Sequence, residues 1–277
     1  VQAGPDFKLL RPFGPRRFVP NNANLTDKVS VESLYRQLLD REISGGTELE
    51  QLLLDRSELE AAVAQQRSIL YIRMTCRTDD VDRAKAYQAF IENVDPMVKT
   101  MADRLDRKTI EAVDALGFKE PRYDVYFRKM RSDIDIFREE NIPLQTKEAL
   151  LSQEYQTVTG AMTVAFQGKE YPVPLMRKFY EDTDRAIRQA AWEATAQRFL
   201  QDTDRLDAIF DEMVSLRDRI GHNSGFANYR DYKFREYHRF DYTPEHCRQY
   251  HEAIEKYMVP LARKMHQVRA EQMDMPT

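Results

Sequence analysis

Met162-Thr-Val-Ala-Phe-Gln-Gly-Lys-Glu-Tyr-Pro-Val173 is the one stretch of this chain whose apolar residues alternate with polar ones. Val164 and Phe166 lie on one side of Gln167-Gly168, and Tyr171 and Val173 on the other. Two alternating runs joined by a short glycine-bearing link predict a β-hairpin at 161–173, with Pro172 confining the second strand to an edge or its end. Everywhere else the apolar spacing is helical, so the hairpin stands as an exception and the fold class reads as all-α.

Upstream, Thr146 offers a cap for a helix to about Thr159, and Ile142-Pro143-Leu144 reads as an interruption before it. A helix is expected over Tyr123–Glu140, preceded by a break at Gly117–Pro121. Thr78-Asp79-Asp80 opens a longer one whose stripe is Tyr87, Phe90, Ile91, Val94, Val98, Met101 and Leu105, with Pro96 expected to kink or divide it. Leu49, Leu52, Leu53, Leu59, Val63, Ile69 and Leu70 mark a helix to about Arg73 that Ser44-Gly45-Gly46-Thr47 starts and caps. Ser30 is the expected cap for Val31, Leu34, Tyr35, Leu38 and Leu39. Residues 1–28, with Pro5, Pro12, Pro15 and Pro20 and no periodicity, read as an extended arm over the helical body.

Downstream, helices resume at Pro174. Asp182-Thr183-Asp184 caps one that runs through Ala191, Trp192 and Phe199. Asp202-Thr203-Asp204 caps the next, with Leu206, Ile209, Phe210, Met213, Leu216 and Ile220 inward. Asn228 starts a short helix rich in Tyr and Arg. Thr243-Pro244-Glu245 places a cap before a proline at the first helical position, and that last helix runs past Met265 to near Pro276. The expectation is about ten helices and one hairpin.

Composition agrees and excludes several roles. Of 277 residues, 42% are hydrophobic and 32% charged, a balance suited to amphipathic helices with solvated outer faces. The nine glycines leave little room for phosphate-cradling loops, and a net charge of −4 with no basic run offers no field for nucleic acid. No run of about 18 apolar residues exists to span a membrane, and no signal-peptide pattern opens the chain. Val1 in place of an initial Met points to a start further upstream. Cys76 and Cys247 leave a disulfide open, but two free thiols in a reducing cytoplasm suit a chain with its own core.

No set of residues announces chemistry. A helical zinc site needs two histidines four apart on one face. Among His222, His238, His246, His251 and His266 the nearest pair, His246 and His251, is five apart and diverges by about 140° around a helix. No His-Glu-x-x-His occurs, so neither catalytic nor metal residues are assigned. Gly221-His-Asn-Ser-Gly225 has the wrong spacing for a serine nucleophile and reads as a helix stop. Cys247 adjoins His246, but successive helical residues do not face each other. Asp202, Asp204, Asp207, Asp211 and Glu212 form a solvated acidic face without a calcium loop's glycine. Tyr229–Tyr242 interleaves aromatics with charges, either as core packing with arginine stems laid over it or as the wall of a cleft.

Longer stretches carry a resemblance. Leu144-Gln-Thr-Lys-Glu-Ala-Leu-Leu-Ser-Gln-Glu-Tyr155, Thr159 to Tyr171, Asp184-Arg-Ala-Ile-Arg-Gln-Ala-Ala-Trp-Glu-Ala194, Gly225-Phe-Ala-Asn-Tyr-Arg-Asp-Tyr232 and Arg239-Phe-Asp-Tyr-Thr-Pro-Glu245 closely resemble the oligoendopeptidase F branch of the thimet-type zinc metallopeptidases. The resemblance spans nearly the whole chain and is looser before about residue 120. It implies half of a two-lobed channel, with 29–160 as the amino-terminal helical domain and 174–277 as the start of a catalytic domain that stops before the zinc motif. It further implies Zn²⁺ held by a His-Glu-x-x-His helix outside this sequence, short peptides as substrates, and a missing carboxy-terminal half or a partner supplying it. No ligand of Zn²⁺ carries over to a residue of this chain. On this reading the chain walls the channel and is inactive alone. The alternatives are a naturally short, non-catalytic helical protein that binds or pairs with a partner, or a complete enzyme with its own chemistry.

Overall fold

The computed structural model describes residues 15–275. Helix α1 (Lys28–Leu39) is followed by the long α2 (Gly46–Thr75), α3 (Val81–Ala89), α4 (Asp95–Leu116), α5 (Asp124–Ile136) and α6 (Asn141–Gly160). The antiparallel strands β1 (Thr163–Phe166) and β2 (Lys169–Pro172) come next, then the one-turn α7 (Arg177–Tyr180), α8 (Arg185–Leu200), α9 (Thr203–Asn223) and α10 (Tyr229–Glu236). The last two, α11 (Pro244–Ala253) and α12 (Val259–Gln272), are joined end to end. The all-α class with one hairpin is what the apolar periods predict.

Two prolines explain two wide turns. Pro96 and Pro260 each follow a π turn, Phe90–Val94 and Ile254–Met258, that runs without a gap into the next helix. Asp95 N–H donates to Phe90 O and Val259 N–H to Ile254 O, five residues back in each case. A proline in a helix loses one hydrogen bond and its ring strikes a carbonyl of the preceding turn, and a wider turn relieves that clash. The rod at Pro96 is therefore bulged rather than divided. Counting each proline-bulged pair as one rod leaves ten rods among the described residues.

Several helix starts differ from expectation, for local reasons. Asp27 rather than Ser30 caps α1, accepting from the Ser30 N–H and hydroxyl at 2.8 Å each. A carboxylate one turn earlier is the better acceptor for the exposed N–H groups. Helix α2 starts at Gly46 with no side-chain cap, so Thr47 lies inside it. Pro143 does not interrupt α6 but sits in its first turn, where an N–H has no partner to lose. Helix α5 stops at Ile136 because Phe137 is extended. Asp184, Asn228 and Thr243 cap as expected.

The main core lies between α1, α2, α4 and the first π turn, where Tyr35, Leu38, Leu52, Leu59, Phe90, Ile91 and Leu105 are fully enclosed. Each such side chain contributes roughly 1.5–3 kcal/mol of burial. The described part of the arm lies over α2, since Glu58 accepts from the backbone N–H groups of Arg17, Phe18 and Val19 at 2.7–2.9 Å. Pro5 and Pro12 lie outside the described residues. A second cluster joins α6 to α9 through Leu144, Leu151, Ile209, Leu216 and Ile220. Phe210, expected inward, is 62% exposed, because it follows Ile209 by one step and points away from α6. The hairpin pairs Val164 with Tyr171 and turns on Gln167 and Gly168, both at positive φ. That is the mirror-image turn favoured between two twisted strands.

Candidate functional site

Charged residues on four helices meet in a cleft. Arg56 and Glu60 come from α2, Lys99, Asp103 and Asp106 from α4, Gln145 and Glu148 from α6, and Tyr232, Lys233 and Glu236 from α10. The cleft consists of two adjoining cavities of about 250 and about 400 Å³ that share Lys99, Gln145, Tyr232 and Glu236. Arg56 falls on the apolar stripe of α2, four residues after Leu52 and three before Leu59, so packing buries it.

Its partners decide whether that burial is tolerable. Arg56 Nε lies 2.7 Å from Glu60 Oε1 and Nη1 lies 2.6 Å from Asp106 Oδ1, though Nη1 is out of line for a hydrogen bond. Burial works against the Arg56 charge, but Glu60 and Asp106 outweigh it and raise its pKa. Burial also pushes the Asp106 carboxyl up to about 6, against the pull of Arg56 and with help from Glu60 and Asp133. Asp133 is raised as well, chiefly by burial, although it holds His238 Nε2 at 2.7 Å.

Tyr232 anchors the shared middle. Its hydroxyl accepts from Gln145 Nε2 at 3.4 Å and donates to Glu236 Oε1 at 3.0 Å. Burial pushes Tyr229 and Tyr232 up to about 12, so both remain protonated donors. Arg217 donates to Glu148 at 2.6 Å, and Lys233 pairs with Glu236. The Tyr229–Tyr242 segment thus fills both roles considered for it. Phe226, Tyr229 and Tyr232 pack ring against ring, Arg239 lies over Phe234, Tyr237 and Tyr242, and the inner residues of α10 line the cleft.

The remaining candidates are dispersed. His222 bonds the Asp218 carbonyl at the end of α9, His246 closes a capping box with Thr243, and His251 and His266 are exposed on α11 and α12. Among the described residues no three His, Cys, Asp or Glu side chains stand close enough to hold a metal ion. The donor set therefore does not fit a zinc centre. Cys76 and Cys247 are free thiols. Ser224, in the serine-bearing turn, is buried and spends its hydroxyl on Ile136 O at 3.0 Å, where Asn141 also donates to it. No helix among the described residues is long and apolar enough to cross a membrane. Sequence reasoning missed the cleft itself, although charged residues such as Arg56 on an apolar stripe were a usable signal.

Comparison with known proteins gives two sequence matches. The profile described as Peptidase M3 N-terminal domain matches residues 22–137, and that described as Peptidase family M3 matches residues 179–275. No curated protein matches the sequence significantly. Three solved structures share the fold. A protein described as an oligoendopeptidase F superposes with a TM-score of 0.82 at 22% identity, over 95% of this chain and 47% of its own. PZ peptidase A bound to an inhibitor gives 0.80 at 22%, over 92% and 46%. An oligoendopeptidase F of Bacillus anthracis strain Ames gives 0.79 at 22%, over 93% and 46%. The chain thus spans about half the length of the structures it matches.

Proposed function

Because the chain belongs to peptidase family M3, we propose that it is the amino-terminal portion of a zinc-dependent oligoendopeptidase, and that its cleft walls the channel admitting short peptides. In this proposal residues 29–160 form the amino-terminal helical domain, 161–173 the hairpin and 174–277 the opening of the catalytic domain. Zn²⁺ would polarise the scissile carbonyl and activate water from residues outside this sequence. The chain's own residues exclude bulk solvent and present hydroxyl, amide and charged groups to the peptide. The site of action is assigned to the cytoplasm.

The observation that carries this reading is the far end of the chain. Helices α11 and α12 leave Tyr250, Ile254, Tyr257, Met258, Leu261, Met265 and Val268 exposed. Ile254, Met258, Leu261, Met265 and Val268 follow at steps of four and three residues, the seam of a helix that packs against another. A stripe of this kind calls for cover, which the remainder of a peptidase would provide.

Two results follow. The purified 277-residue chain is expected to cleave no short quenched-fluorescent peptide at any zinc concentration, whereas a longer protein containing His-Glu-x-x-His should cleave it in proportion to bound zinc. Zinc-dependent turnover by material of the correct intact mass would overturn the assignment of zinc to residues outside this sequence. In hydrogen exchange, amides of 244–272 in the 277-residue chain should exchange well before those of α9, because their helix lacks tertiary cover. Equal protection would mean that the stripe is already covered.

A further inference from the structure

We propose that the cleft binds a short peptide in one direction, with its terminal carboxylate at Arg67 and Lys99 and its terminal ammonium at Asp103, Asp106 and Asp133. The inference rests on the preceding reading that the chain handles peptides, and it adds which end of the peptide goes where.

The two cavities differ in charge. Apart from the shared residues, one is lined by Arg67 and Lys233 against Glu148. The other is lined by Glu60, Asp103, Asp106 and Asp133 against Arg56 and Arg138. At the first end Arg67 and Lys99 share a single carboxylate, Asp95, at 3.7 and 3.1 Å, which leaves positive charge over. Arg67 is also about half exposed, so its guanidinium is open to a ligand and can take a carboxylate with two parallel hydrogen bonds. At the second end the carboxylates outnumber the cations and raise one another's pKa values, as the Asp106 value of about 6 records. A bound cation would relieve that repulsion.

The spacing sets the length. Arg56 and Arg67 mark the two ends and stand eleven residues apart on α2, which is about 16 Å at the helical rise. An extended chain covers that distance with roughly four or five residues at about 3.3–3.6 Å each. Between the ends, the Tyr232 hydroxyl and the Gln145 amide face the peptide backbone with groups that take no account of side chains.

Titration calorimetry of the 277-residue chain with penta-alanine, its carboxy-terminal amide and its N-acetyl form tests this. The free peptide should bind about tenfold more tightly than either blocked form. Arg67→Gln should abolish the preference for acid over amide, and Asp103→Asn the preference for the free amine. Lys99→Gln is the second carboxylate variant should Arg67→Gln not fold. Equal affinity for free and blocked peptides, blocking effects that survive these substitutions, or no binding at millimolar peptide would each overturn the proposal. The peptidase reading is scored separately, by zinc-dependent cleavage in the longer protein, so cleavage without any effect of blocking would sink the orientation alone.

Discussion

Arg56→Met is expected to destabilise the chain by about 3–5 kcal/mol, the cost of breaking a buried ion pair by removing one partner. Methionine nearly fills the volume, so the loss is electrostatic rather than a cavity. Without the guanidinium, Asp106 and Glu60 face each other and Asp133 with no cation between them. The urea midpoint at pH 7 reads the effect, and a loss below about 1 kcal/mol would mean that water already screens the cluster.

The same cluster fixes a sign for pH. In the folded chain Asp106 titrates at about 6, against about 3.9 when unfolded. The native state therefore holds the proton more tightly, and this group's contribution is fully present below about pH 4 and lost as pH rises through about 6. In the Arg56→Met variant Asp106 should rise further, so the destabilisation should shrink as pH falls from 7 towards 5. A penalty that stays constant across that window would show that Asp106 is not the group responsible.

Gly221→Val is expected to cost about 1–3 kcal/mol, the usual range for overpacking. Gly221 is buried near the end of α9, where an added Cβ would meet Tyr229 N at 3.1 Å, Asn228 C at 3.2 Å and Tyr229 Cα at 3.2 Å. All three are backbone atoms at the start of α10 and cannot rotate aside. The strain should therefore lift α10, and with it Tyr232, Lys233 and Glu236, away from the cleft. Hydrogen exchange of 229–236 and the urea midpoint together read this. A change within about 0.5 kcal/mol, with α10 still protected, would show that the two backbones can part without cost.

Both predictions arise where helices distant in sequence meet, and that boundary separates what was legible in the residues from what was not. Local chemistry wrote the hairpin, because Val164, Phe166, Tyr171 and Val173 alternate around a Gln-Gly turn that admits positive φ. It wrote the caps at Asp184, Asn228 and Thr243, where a short side chain reaches an N–H two or three residues on. It missed Asp27, because Ser30, itself a good cap residue, stands in the same turn. It placed Phe210 inward because a helix's apolar stripe is broad and only packing against α6 narrows it to the side of Ile209. The cleft depends on Arg56, Lys99, Gln145 and Tyr232 converging from four helices, and no spacing along the chain encodes that meeting. Sequence by itself determined the all-α class, the hairpin and the family resemblance, since these depend on contacts between near neighbours and on long runs of matching residues. Only the tertiary structure decided which charges are buried together, because burial and mutual repulsion belong to the space between helices.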